Sequence, residues 1–60
     1  MDLKATIDNA GMTQYAFAKA ISRSKTQVNR WYTYGKDISP LMEKHIRSVC
    51  EAEGIKVIEK

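Results

Sequence analysis

Lys25, Thr26, Gln27, Asn29 and Arg30 lie close together in the sequence, and each is of a type that can read a base-pair edge. Lysine or arginine donates to guanine O6 and N7, asparagine or glutamine pairs with adenine, and a threonine methyl meets the thymine methyl. Val28 interrupts the set. With Trp31 and Tyr32 it gives the i, i+3, i+4 spacing of one apolar helix face. The segment therefore predicts a helix over 25–34 with an apolar inner face and a polar outer one. Ser24 and Gln27 form a Ser-x-x-Gln capping box, which places the N-cap at Ser24. In that phase Lys25, Thr26, Asn29 and Arg30 point outward near the helix start, with Gln27 at the margin. That end of a helix goes deepest into a major groove. Lys25 is unfavourable near a helix N-terminus by a few tenths of a kcal/mol, a cost that DNA phosphates would offset.

A second set is suited to phosphate. Thr13 and Gln14 open the preceding helix, where free N–H groups and the helix dipole favour an anion. Arg23, Tyr34 and Lys36 flank the proposed reading helix. Such contacts set register and affinity and carry little sequence information. Charge supports both sets. Between Asn9 and Lys36 there are five positive side chains, Lys19, Arg23, Lys25, Arg30 and Lys36, and no acid. Beyond Leu41 four Lys and Arg face four Glu, so much of the net +3 belongs to the central stretch. A local basic surface attracts nucleic acid.

The elements that would hold these residues can be read in order. Residues 2–10 predict a first helix, capped by Asp2, with Leu3, Ile7 and Ala10 as its apolar stripe and Gly11 as its stop. Met12 is expected to pack inward. Thr13 caps a second helix over 14–21, in which Phe17 and Ile21 form an i,i+4 core pair and Ala18 permits close approach. Ser22-Arg23-Ser24 is the break, and Gly35 ends the third helix. Ser39-Pro40 starts a fourth helix over 40–53, since proline at the first helical position lacks only an N–H that would be orphaned there. Its apolar face is expected to be Met42, Ile46, Val49 and Cys50, with Leu41 alongside, and Gly54 ends it. The tail, residues 55–60, is short and β-branched. It suits a brief strand, an apolar strap over the core, or a dimer contact. The expectation is one all-α domain over residues 1–60: a compact four-helix, helix-turn-helix domain with a short C-terminal strand or extended tail.

Sixty residues bury a marginal core, which raises the value of a partner subunit. The lone Cys50 allows no internal disulfide and is expected to be a small core residue, in keeping with a cytoplasmic location. The first residues lack the apolar run of a signal peptide, and nothing is long and apolar enough to span a membrane. Trp31 reads as a core anchor, His45 as a plain surface or boundary histidine, and Tyr15 as a wet packing residue. No metal-ligand spacing, Gly-rich phosphate loop or nucleophile–base pair is evident, so neither an enzyme nor a cofactor or small-molecule ligand is expected.

Residues 14–33 resemble the helix-turn-helix of small phage and bacterial repressors. Ala18 falls at that family's small crossing position, Ile21, Val28 and Trp31 at its core positions, and Gln14 at its phosphate-contacting start. Gly11-Met12-Thr13-Gln14 is a typical lead-in. The short chain and the Ile38-Ser39-Pro40-Leu41 opening of a further helix resemble the all-helical Cro repressors of lambdoid phages. The resemblance implies a lambda-repressor-like fold and a homodimer on a pseudo-palindromic double-stranded operator in a bacterial host cell. The chain departs from the family at the turn, with Ser22 where glycine is usual and Arg23 where an apolar residue is usual. A left-handed Ser22 would cost roughly 1 kcal/mol relative to glycine. The alternatives are an excisionase-like or antitoxin-like DNA-binding regulator, and a helical protein-interaction module in which residues 25–33 bind a protein groove.

Overall fold

Every helix start in the chain is written as a short polar side chain three residues ahead of the N–H it satisfies. In the computed structural model, which describes residues 1–35 and 38–60, this local rule builds four α-helices: α1 (Leu3–Ala10), α2 (Gln14–Ala20), α3 (Lys25–Tyr34) and α4 (Pro40–Glu53). Asp2 accepts from Ala5 N, Thr13 from Ala16 N, Ser24 from Gln27 N and Ser39 from Met42 N, at 3.0–3.2 Å. Each bond satisfies one of the N–H groups a helix start leaves without a partner. α1, α3 and α4 end on glycines with positive φ, Gly11, Gly35 and Gly54. α2 does not: Ile21 is its C-cap and the left-handed residue is Ser22, at φ 58°.

The core gathers Leu3, Ile7, Phe17, Ala18, Ile21, Val28, Trp31, Ile46 and Cys50. α2 and α3 make the most extensive helix–helix contact, and α1 also packs on α3. Ala18 is buried, as close approach of two helices requires. Burial pushes the Cys50 thiol up from its ordinary pKa, which keeps this core group protonated.

Two expectations about the apolar faces are corrected. Ala10 is exposed, and the third buried residue of α1 is Thr6, fully inaccessible. Its hydroxyl donates to Asp2 O at 2.7 Å and accepts from Ile58 N at 3.0 Å, so a polar group is buried without an unmet hydrogen bond. Leu41 is 82% exposed, because the inward stripe of α4 runs through Met42, Ile46, Val49 and Cys50 and leaves Leu41 on the outer side.

The tail is an extended strap, and the described residues contain no strand. Ile55 and Val57 pack on the core. Asp2 N donates to Ile58 O at 2.8 Å, which together with the Thr6 bond fastens the end of the chain beside the start of α1. Arg47 on α4 grips Glu59 through both terminal guanidinium nitrogens, at 2.7 and 2.9 Å, and reaches Glu43 through Nε. No described helix is long and apolar enough to cross a membrane.

Candidate nucleic-acid interface

α3 is held by one face only. Val28 and Trp31 are buried, whereas Lys25, Thr26, Gln27, Asn29 and Arg30 are all exposed. Ser24 caps the helix as expected, through its Oγ to Gln27 N. The reciprocal bond from the Gln27 side chain is absent among the described residues, which leaves that amide facing outward. Lys25, Thr26 and Asn29 line one open depression on the outer surface. Three of the five residues expected to read bases thus share one accessible surface, and Gln27 and Arg30 are exposed on the same helix.

The helix is also braced at its far end. The Tyr32 hydroxyl donates to Asp8 Oδ1 at 2.7 Å, and Lys4 joins the same carboxylate at 3.2 Å while lying over the Tyr32 ring. The Tyr32 bond first, and Lys4 second, hold the Asp8 carboxyl below its ordinary pKa. The bond to Asp8 raises the Tyr32 phenol in turn. This brace fixes the rotation of α3 against α1.

The turn ahead of α3 is fastened from two directions. Ser22 N donates to Lys19 O at 3.2 Å and Arg23 N to Ala18 O at 2.9 Å. From α4, His45 Nε2–H donates to Ile21 O at 2.9 Å, satisfying a carbonyl at the end of α2. His45, read from the sequence as a plain surface or boundary residue, therefore joins α4 to the turn. The α2 end and Ile21 are too far from His45 in sequence for any local pattern to signal this.

The residues expected to hold phosphate are more scattered. Thr13 is exposed and its hydroxyl oxygen accepts from Ala16 N, leaving its own hydrogen to donate outward. Arg23 is exposed and one guanidinium nitrogen folds onto Ser22 O at 3.2 Å. Tyr34 is exposed. Lys36 lies outside the described residues. Lys25 and Arg23 have no carboxylate partner among the described residues, whereas the acids Asp8, Glu43 and Glu59 are engaged by Lys4 and Arg47.

Gln14 and Asn29 are placed differently from the sequence reading, which treated them as separate contacts. Asn29 Nδ2 donates to Gln14 Oε1 at 2.9 Å, joining the start of α2 to the middle of α3. Fifteen residues separate them, and only the angle of the two helices brings the amides together.

Compared with known proteins, the chain matches no family model, no curated protein and no solved structure. The arrangement of these side chains therefore carries the functional reading.

Proposed function

We propose that this chain is a sequence-specific, double-stranded DNA-binding transcriptional repressor that lays α3 in the major groove. The observation that carries the reading is the division of α3. Its apolar face is locked to the core, and its exposed face offers the side chains that suit base edges, in a stretch without acids. A ten-residue helix is about 15 Å long, a length the groove accommodates. The resemblance of residues 14–33 to the helix-turn-helix of phage repressors supports the same assignment and points to the Cro type. On this reading Arg23, Tyr34, Thr13, Gln14 and Lys36 hold phosphates. A homodimer occupies a pseudo-palindromic operator and excludes polymerase or an activator.

Fluorescence titration of labelled duplex DNA at two salt concentrations tests it. Log K should fall with log salt by about 0.9 for each phosphate neutralised. Sites selected from a randomised duplex pool should share a palindromic consensus. Absence of duplex binding at low salt overturns the assignment.

A further inference from the structure

We infer that His45, on α4, is a positioning residue for duplex binding: its hydrogen bond to Ile21 O holds Ser22 left-handed, and Ser22 sets where the start of α3 emerges. The functional half of the inference rests on the DNA-binding reading above.

The turn asks of a serine a conformation that glycine supplies freely. Ser22 has φ 58°, and the other left-handed residues among those described are Gly11, Gly35 and Gly54. A residue with a Cβ is disfavoured there by roughly 5-fold or more. The peptide plane between Ile21 and Ser22 carries both dihedrals concerned, ψ of Ile21 at 4° and φ of Ser22 at 58°. That plane is fastened at both of its polar atoms. Its N–H donates to Lys19 O at 3.2 Å, and its C=O accepts from His45 Nε2 at 2.9 Å. The first bond is local to the end of α2, so the second is the one that ties the plane to another helix. Among the described residues, no side chain donates to the carbonyls of Ala10, Tyr34 or Glu53, which precede the three glycines. The side-chain anchor occurs where the left-handed residue carries a Cβ.

The sense of this bond is fixed by chemistry. A backbone carbonyl only accepts, so the ring nitrogen beside it must donate, and both the neutral ring protonated there and the imidazolium can. The core places both ends, since Ile21 and Ile46, the neighbour of His45, are fully buried. Ser22 stands two residues before Ser24, the N-cap of α3, and three before Lys25. Its φ therefore directs the helix start that is proposed to enter the groove. Without the anchor, Ser22 leaves the left-handed region in part of the population. Affinity then falls by the fraction of chains still competent, equally on every duplex. A net hydrogen bond of this kind shifts such an equilibrium by about 2- to 10-fold.

The test compares the full chain with His45→Ala, His45→Gln, Ser22→Gly and the double variant His45→Ala/Ser22→Gly. Thermal melts fix a temperature at which each is folded. Amide hydrogen exchange at Ser22 and Arg23 reads the turn without DNA. Titration of selected and random duplexes at two salt concentrations reads binding. His45→Ala should exchange faster at both amides and bind every duplex about 2- to 10-fold more weakly, with base preference and salt slope unchanged. His45→Gln keeps a side-chain N–H donor and should retain most of the protection and affinity. In the Ser22→Gly background, loss of His45 should cost little, because glycine adopts the left-handed turn unaided. If His45→Ala does not fold alone, Ser22→Gly should restore its melt, and failure to do so overturns the inference. Unchanged exchange and affinity in a folded His45→Ala chain overturn it too, as does a defect of equal size in the Ser22→Gly background. A lowered salt slope is equally fatal, since His45 would then be a phosphate contact. Should the original chain bind no duplex at low salt, the parent reading fails, while hydrogen exchange still decides what His45 does at the turn.

Discussion

Ser22 shows how a single residue carries a structural demand its type does not favour. It is the one non-glycine with positive φ among the described residues, at 58°. A Cβ in that region crowds the following carbonyl, which is why the other left-handed positions here are glycines. Ser22→Gly relieves that crowding but gives the unfolded chain more freedom, so the gain is the difference of two terms. The expected net stabilisation is up to about 1 kcal/mol. For a domain of this size that raises Tm by a few degrees. Urea unfolding of the variant checks it, and an unchanged or lower midpoint would show that the crowding at Ser22 costs no more than the freedom a glycine adds to the unfolded chain. Thr6 makes the complementary case, a polar residue favoured where an apolar one is expected. Thr6→Val keeps the shape and removes the bond to Ile58 N. The lost partner should cost about 1–3 kcal/mol and speed hydrogen exchange at the Ile58 amide.

At the scale of the element, α3 is two surfaces on one axis, and its outer surface is free because the other is occupied. Val28 and Trp31 fix its depth and the Tyr32–Asp8 bond fixes its rotation. Substitutions on the outer face should therefore alter binding while leaving stability nearly unchanged. Arg30→Ala should relax base preference and cost about 1–3 kcal/mol on the best site, as expected for a residue that reads a base. Arg23→Ala, in the turn, should weaken cognate and random duplexes alike and lower the salt slope by about one. Equal losses for Arg30→Ala on both kinds of DNA would remove it from the reading set.

At the scale of the molecule, the chain's last residues close over its first. Ile58 joins Asp2 and Thr6, and the Arg47 fork holds Glu59. Two carboxylates in these braces are held below their ordinary values. Asp8 is lowered from 3.8 by the Tyr32 hydroxyl and then Lys4, and Glu59 is lowered from 4.5 by Arg47. A carboxyl whose native pKa is depressed stabilises the fold fully above its ordinary value. That contribution fades as pH falls through the ordinary value to the native one. The urea midpoint should accordingly drop between pH 5 and pH 3. Asp8→Asn should lower the midpoint at pH 7 and flatten the acid-side decline. Both groups are exposed, so solvent screening keeps the effect small.

How much of this was legible beforehand follows the range of the interactions involved. The helices were written locally, in Asp2, Thr13, Ser24 and Ser39 at their starts and in Gly11, Gly35 and Gly54 at three of their ends. A cap acts on the N–H three residues away, and an apolar stripe repeats within two turns, so a linear reading captures both. The outer face of α3 was legible for the same reason, since the phase of a helix follows from its cap. Thr6 was within reach: the i, i+3, i+4 stripe from Leu3 lands on Thr6 and Ile7, but threonine's polarity hid it. The folding of the tail over α1, the reach of His45 to Ile21 and the pairing of Gln14 with Asn29 join residues 15 to 52 positions apart. No periodicity encodes such contacts. They arise only once helix packing has set the angles between elements, and those angles depend on how all the buried side chains fit at once.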